Sequence, residues 1–279
     1  MMKDSIDFGN MEIPRLFRRL LIPTVLGMLF SAAFVITDGI FVGRGIGSDA
    51  LAAVNITAPL FLINTGVGLM FGVGASVVAS IHLSHGKART ARINVTQAVA
   101  VSSLILAAYS LAVCLFAPEV ARLLGSSQRL LPLVLEYMYW FVPFLPFSAL
   151  LSSGMFFIRL DGSPNYAMWC NAVPALINIV LDYVFIFLLD WGMFGAALAT
   201  SLGYVVGAVM ILAYLSRRRN VIRFCRVKTS RKSLRLTRRN VGYMCRLGLS
   251  TFLCEGAIAA MMFTGNYVFI RRLGEDGVA

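Results

Sequence analysis

Charged residues are scarce in this sequence, and acidic residues are the scarcest of them. Of 279 residues only 14% are charged, with 13 aspartate and glutamate residues against 25 lysine and arginine residues. An ordinary soluble domain carries about 25% charged residues, so the composition argues against a soluble globular protein. The apolar residues also show no strict alternation with polar ones, so a membrane β-barrel is not indicated.

Cysteine and histidine are few, and their spacing carries no sign of chemistry. The five cysteines form no CxxC or Cys/His pattern, so we expect neither disulfides nor a structural metal site. His82 and His85 have no further ligands near them in the sequence, which a metal site requires. No nucleophile and base are spaced for catalysis either. The sequence therefore predicts a protein that is not an enzyme and binds no cofactor.

Long apolar segments dominate the chain, and hydrophobic residues make up 58% of it. A helix needs about 20 mostly apolar residues to cross a bilayer. The backbone must satisfy its own hydrogen bonds in lipid, so such segments form helices. We predict an all-α integral membrane protein whose seven spans are 20–42, 51–81, 95–117, 130–157, 166–189, 193–215 and 243–270.

Basic residues concentrate in alternate connections between these segments. Most of them lie on the side that holds the N-terminus, above all in SRRRNVIRFCRVKTSRKSLRLTRR (216–239). Basic connections stay in the cytoplasm, so we predict a multi-pass protein of the cytoplasmic (inner) membrane with a cytoplasmic N-terminus. The same asymmetry accounts for the net charge of +12. The expected partner of these charges is the lipid bilayer, not nucleic acid.

An internal repeat divides the chain. FVGRGIGSDALA (41–52) matches VFIRRLGEDGVA (268–279) at a shift of 227 residues, and both segments run in the same direction, as in transporters with parallel repeats. We predict a six-helix lobe at 1–215, a basic cytoplasmic linker at 216–240, and the start of a second lobe at 241–279. The sequence is then expected to be a fragment of a protein with about twelve spans, and activity would require the missing C-terminal lobe.

Glycine and proline recur inside the predicted helices. The second segment carries glycines at 66, 68, 72 and 74, including a GxxxG pattern that permits close helix packing. Five prolines invite kinks because each removes a backbone donor: Pro23, Pro59, Pro143, Pro146 and Pro174. Such kinks serve equally as hinges or as static bends, so both interpretations stay open.

Three acidic residues lie inside predicted spans, namely Asp38, Asp182 and Glu255. Inserting such a group costs at least about 2.5–3.5 kcal/mol, so a function is the default hypothesis. At the rise of an α-helix, Asp38 lies roughly 6 Å and Asp182 roughly 10 Å from the outer ends of their helices. Thr200 reaches the same depth as Asp182, and Asn178 shares the helix face of Asp182.

These residues have the composition of a cation site. No lysine or arginine is placed at the depth of the two aspartates to neutralise them. Two carboxyl groups close together repel, so one of them would retain its proton. Carboxylate, amide and hydroxyl oxygens are equally suitable ligands for a hard cation. The pattern predicts a proton or sodium site, and the alternative is a structural hydrogen-bond network with Asp38 protonated.

Four stretches resemble the multidrug and toxic compound extrusion (MATE) transporters. They are TDGIFVGRGIGSDALAAVN (37–55), INIVLDYVF (177–185), GAALATSLGY (195–204) and GLSTFLCEG (248–256). The resemblance implies two six-helix lobes around a central cavity, and exchange of H⁺ or Na⁺ for small organic, often cationic, compounds. It further implies that the first-lobe cation site contains Asp38, Asn178, Asp182, Thr200 and Tyr139. It implies that Glu255 is the first acid of a second-lobe site.

Two alternatives to the efflux-transporter hypothesis remain. The lipid-linked oligosaccharide flippases of the same superfamily would need a basic cavity, and the sequence shows no intramembrane lysine or arginine. A non-transporting seven-helix membrane protein fits the helix count, although the repeat and the cytoplasmic N-terminus argue against it. The residues do not distinguish H⁺ from Na⁺ as the coupling ion.

Overall fold

A computed structural model describes residues 11–226 and 231–273 of the chain. Helices connected by short loops make up this part, which contains no strand, so the all-α prediction is confirmed. Seven helical stretches are long and apolar enough to cross a membrane, as predicted, and they are Ile13–Gly45, Ser48–Ser84, Ala88–Leu115, Leu131–Leu160, Pro164–Leu188, Gly192–Ser216 and Arg235–Val268.

The described residues form nine α-helices, and all but α4 belong to these spans. In chain order they are α1 (Ile13–Gly45), α2 (Ser48–Ser84), α3 (Ala88–Leu115), α4 (Ala117–Leu123), α5 (Leu131–Phe141), α6 (Leu145–Leu160), α7 (Pro164–Asp182), α8 (Gly192–Ser216) and α9 (Arg231–Leu273) in the described residues. The short helix α4 was not predicted. It lies between the third and fourth spans and carries Pro118 in its first turn, where a missing N–H costs nothing.

Proline interrupts one span but not the others. The fourth span changes to a 3₁₀ turn at Val142–Phe144, which separates α5 from α6. Pro143 lies in this turn and cannot donate the hydrogen bond that a continuous α-helix needs. Pro23, Pro59 and Pro174 are accommodated inside α1, α2 and α7. Helix α7 instead changes at its end, where Tyr183–Leu188 form a π-helical turn directly after Asp182.

The predicted linker at 216–240 is only partly a loop. Residues 217–226 are irregular, and α9 already begins at Arg231. Arginine, lysine and leucine are good helix formers, so the basic stretch extends the seventh span instead of separating it from the lobe. The residues 274–279 of the predicted repeat lie outside the described residues.

Helix α2 is the centre of the bundle, because α3, α6 and α9 all pack against it. Glycines permit the close contacts. A Cβ atom on Gly68 would lie 2.9 Å from the Ala149 Cα, and one on Gly72 would lie 2.7 Å from the Ser153 Cα. The GxxxG pair therefore faces the backbone of α6. Gly74 is equally close to the backbone of α9 at Met244.

Helix α9 is also held by side-chain amides at both of its ends. The Asn240 Nδ2 donates to Asn94 Oδ1 (3.1 Å) and Gln97 Oε1 (3.2 Å), both on α3. The Gln97 Nε2 donates to Thr237 Oγ1 at 2.8 Å. Near the opposite end, Asn266 Nδ2 donates to the Asn55 carbonyl at 3.1 Å. These contacts fix α9 along the full length of its neighbours.

The loop after α8 is anchored by a buried acid. Asp161 accepts one hydrogen bond from the Tyr214 hydroxyl (2.7 Å) and one from the Ile222 N–H (2.7 Å). Arg92 donates to the Val221 carbonyl at 2.8 Å. The loop thus lies against the ends of α3, α6 and α8, and we call this end of the bundle the linker end.

We expect Tyr214→Phe to loosen this loop. The change removes the hydroxyl that donates to the buried Asp161 carboxylate, at a cost of about 1–3 kcal/mol. Trypsin should then cleave the arginine-rich stretch 217–226 faster in detergent-solubilised protein. Tyr183→Phe is the matched control, because Tyr183 is 51% exposed. Equal cleavage rates in all three proteins would contradict the anchoring role.

Candidate functional site

Asn178 and Asp182 form a polar stripe on α7, on the one helix face predicted from the sequence, and this stripe faces the interior of the bundle. Asp182 is fully buried and Asn178 is 1% exposed. The Asn178 Nδ2 donates a hydrogen bond to Thr200 Oγ1 on α8, at 3.3 Å. Gly203 permits this approach, because a Cβ atom there would lie 3.3 Å from the Pro174 carbonyl oxygen. The glycine of α8 and the proline of α7 thus bring the two helices together beside the stripe.

Asp38 completes the group from α1. Helix α1 packs against α7, and the Asp38 side chain neighbours both Asp182 and Thr200. The structure therefore brings together Asp38, Asn178, Asp182 and Thr200, which we call the acid cluster. All four were predicted from the sequence, although α1 is distant in the chain from the consecutive helices α7 and α8.

The acid cluster contains oxygens that lack donors. Both carboxylate oxygens of Asp182 and the Asn178 Oδ1 are buried, and no donor in the described part of the chain reaches them. Buried polar atoms are normally hydrogen-bonded, so each exception calls for an explanation. Three such oxygens beside a second carboxyl group suit a bound cation or a proton.

Two tyrosines border the acid cluster, and neither is Tyr139. The Tyr139 side chain is 49% exposed, and the structure does not bring it to the cluster. Tyr137 is buried instead and lies within electrostatic reach of Asp38, Asp182 and Tyr204. The ring of Tyr204 stacks on Phe61 at a centroid distance of 5.9 Å.

The sequence contains the signal that selects Tyr137. Val134, Tyr137, Met138 and Phe141 repeat at the spacing of one helix face, and all four are buried. Tyr139 falls outside this register, and so does the exposed Trp140. Helical periodicity in α5 thus places Tyr137, not Tyr139, on the inward side.

A cavity of about 430 Å³ adjoins the acid cluster. Five helices of the first six spans and α9 supply its walls, and Asn178 and Thr200 belong to both the cavity and the cluster. The main lining residues are Met28, Ser31, Phe34, Phe61, Thr65, Ser148, Ser152, Phe156, Arg159, Asn171, Asn178, Thr200, Tyr204 and Glu255. The lining combines aromatic rings with a few polar groups, as is usual for small-molecule sites.

Glu255 lines the cavity from α9. It is partly buried, and its Cβ would lie 3.1 Å from a Cβ atom on Gly66 of α2. In the described part of the chain, no hydrogen bond or ion pair joins Glu255 to the acid cluster. The third predicted acid therefore faces the cavity separately from the two aspartates.

Arg159 lies on the cavity wall, next to the last residue of the span Leu131–Leu160. Its guanidinium carbon is 5.8 Å from the centre of the Phe156 ring. It is two residues beyond the predicted span 130–157. Its register with Ser148, Ser152 and Phe156 on one face of α6 is the signal that places it in the cavity.

Comparisons with known proteins agree with this architecture. Residues 23–184, more than half of the chain, match the MatE family model. The FAD transporter of Shewanella oneidensis is 29% identical over 221 residues, which cover 77% of this chain and 48% of that protein. The multidrug export protein MepA of Staphylococcus aureus is 26% identical over 264 residues, covering 92% of this chain and 56% of that protein.

Solved structures give the same answer. An inward-facing MATE multidrug transporter aligns with a TM-score of 0.77 and 27% identity, covering 88% of this chain and 55% of that one. An outward-facing MATE transporter aligns with a TM-score of 0.74 and 29% identity, covering 94% and 57%. The chain spans about half the length of these relatives. It belongs to the MatE family, the multidrug and toxic compound extrusion transporters, and is a multi-pass membrane protein.

Proposed function

We propose that the protein exports small organic compounds across the cytoplasmic membrane in exchange for H⁺ or Na⁺. The observation that carries this proposal is the acid cluster, in which Asp182 is fully buried with two carboxylate oxygens that lack donors. A permanent charge in that position is costly. A site that alternately takes up and releases a cation accounts for keeping it.

The acid cluster can serve either ion. A sodium ion would be held by carboxylate oxygens of Asp38 and Asp182, with the Asn178 amide oxygen and Thr200 hydroxyl as neutral ligands. A proton would instead be shared between the two carboxyl groups, because two adjacent negative charges repel. Either ion lowers the charge of the two ionised carboxylates from −2 to −1, and neither requires another acidic residue.

Ion binding is coupled to binding of the transported compound through the wall that the acid cluster shares with the cavity. Asn178 and Thr200 line the cavity on one side and belong to the acid cluster on the other. A cation at Asp182 would bind the Asn178 Oδ1, whose Nδ2 donates to Thr200, so ion binding acts on two side chains of the wall that the compound contacts. Binding of the two is thereby linked, and such linkage is reciprocal.

Helix α7 is the proposed moving element of this lobe. Pro174 and the π-helical turn Tyr183–Leu188 lie on either side of Asn178 and Asp182. Both features weaken the regular backbone ladder, so the segment between them can bend at modest cost. Alternating access then proceeds by bending α7 as the cluster gains or loses its cation.

The proposal includes a second lobe and an orientation. The aligned part covers only about half of each relative, so we propose that this six-helix lobe works with a second lobe that starts with α9. Glu255 would be the first acid of that lobe's own site. The linker end, with its arginines, would face the cytoplasm under the positive-inside rule.

A flippase for lipid-linked oligosaccharides is the second candidate. Arg159 on the cavity wall favours it more than the sequence alone did, because phosphate-linked lipids call for a basic cavity. The single arginine is accompanied by Glu255 and by aromatic rings, a lining that suits smaller organic compounds better. Drug export therefore remains the leading proposal.

The test is transport of ethidium into everted vesicles that carry the full-length protein, which is the direction of export from a cell, with Na⁺ and pH gradients imposed independently. We expect export to follow one of the two gradients and to stop when that gradient is dissipated. Vesicles without the protein give the baseline. Ethidium export that persists with neither gradient would refute ion exchange.

A further inference from the structure

Arg159 has no acidic partner in the part of the chain that the structure describes. No carboxylate there lies within the 4.0 Å of an ion pair, and the described ion pair joins Arg129 to Asp49 instead. Asp161 is two residues away, but its carboxylate accepts hydrogen bonds from Tyr214 and the Ile222 N–H. A guanidinium on a cavity wall with no acidic partner in that part of the chain is available to an acidic ligand.

The cavity separates its charged groups. Arg159 is in the last turn of α6 at the linker end, and the same helix face continues through Phe156 and Ser152 to Ser148. That face is roughly 16 Å long at the rise of an α-helix. Glu255 enters the cavity from α9 and forms no described ion pair with Arg159. One cavity thus presents a positive and a negative group that do not neutralise each other.

The surroundings of Arg159 orient it for an anion. The Phe156 ring lies 5.8 Å from the guanidinium carbon, a distance at which an aromatic ring attracts and positions the cation. The nitrogen donors of a guanidinium fit the two oxygens of a carboxylate or phosphate. Asn171 adds a neutral amide to the same cavity.

Aromatic rings supply the remaining surface. Tyr204 stacks on Phe61 and meets Phe34 edge-on at 6.5 Å, and all three residues line the cavity. Planar compounds pack well against such rings. The cavity therefore combines a surface for a flat ring system with separate positions for a positive and a negative substituent.

We propose that Arg159 binds the acidic group of transported compounds, so that the cavity accepts aromatic molecules carrying a carboxylate or phosphate as well as purely cationic ones. This inference rests on the proposed export function for its biological meaning. Binding itself does not require export, so the two can be tested separately.

The experiment compares two dyes that differ at one position. Rhodamine 110 carries a free carboxylate where rhodamine 123 carries a methyl ester, and their ring systems are identical. Binding of each dye to the purified full-length protein is measured by fluorescence anisotropy, and export of each is measured in vesicles. We expect Arg159→Gln to weaken rhodamine 110 binding by at least about tenfold, as loss of a charged hydrogen bond implies. Rhodamine 123 binding should stay within about twofold.

The controls separate this role from a general loss of positive charge. Arg89→Gln removes an exposed arginine at the start of α3, and it should leave the affinity for both dyes unchanged. Arg159→Lys should restore part of the rhodamine 110 affinity, because it keeps the charge but not the planar donors.

Three results would overturn the inference. They are wild-type protein that does not bind rhodamine 110, Arg159→Gln protein with unchanged affinity for it, and equal weakening of both dyes. Selective weakening in the binding assay supports the role of Arg159 even if vesicles export neither dye. In that case the proposed export function is the one that fails.

Discussion

Asp182→Asn should abolish ion-driven export while leaving the protein folded. The amide has nearly the shape of the carboxyl group, so the buried space stays filled. It cannot take up a proton at ordinary pH, and it offers a sodium ion one neutral oxygen in place of an anionic group. We expect gradient-driven dye export to fall to the level of empty vesicles, a loss of at least about a hundredfold if a charged ligand worth about 3 kcal/mol is removed.

The matched control is Glu119→Gln, which removes an acid that is exposed on α4. It should export at the wild-type rate. Size-exclusion profiles of both variants in detergent establish that they fold. If Asp182→Asn protein exports dye at the wild-type rate with the same ion dependence, the acid cluster has no coupling role and is a structural network.

Gly72→Val should destabilise the lobe more than any other single change discussed above. The first carbon of the new side chain would lie 2.7 Å from the Ser153 Cα, in a backbone that cannot move aside locally. Helices α2 and α6 would have to separate, and both supply cavity walls. Overpacking of this kind costs typically about 1–3 kcal/mol and occasionally more.

Thermal unfolding in detergent, followed by the loss of the monodisperse size-exclusion peak, measures this effect. Gly256→Val is the control, because no atom lies within 4 Å of a Cβ built on that glycine of α9. Its melting temperature should be close to that of the wild type. A Gly72→Val protein as stable as the control would mean that α2 and α6 do not rely on close contact.

Much of this structure follows from simple features of the sequence. The length of the apolar segments predicts the seven spans because lipid offers the backbone no other hydrogen-bond partner. The acids were found for the same reason, since Asp38 and Asp182 stand out in apolar surroundings. Their depth along the helices was enough to place them near Thr200 and Asn178.

The structure differs from the prediction at positions that the depth of a residue in the membrane does not determine. Tyr137 and Tyr139 have nearly the same depth, and only the rotation of α5 distinguishes the buried one. Arg159 lies at the end of α6, where one residue more or less decides between a loop and a cavity wall. The start of α9 depends on helix propensity and on packing against α3, which hydropathy does not measure.

The side-chain hydrogen bonds between α9 and α3 contribute only a small binding energy between these two helices. Three hydrogen bonds at the linker end join Asn94, Gln97, Thr237 and Asn240. Such bonds in membrane proteins average about 0.6 kcal/mol each. Their total is below the roughly 2.3 kcal/mol released when one elementary charge crosses a potential of 100 mV. The descent of a single ion, which the proposed exchange supplies, therefore releases more energy than these three hydrogen bonds contribute.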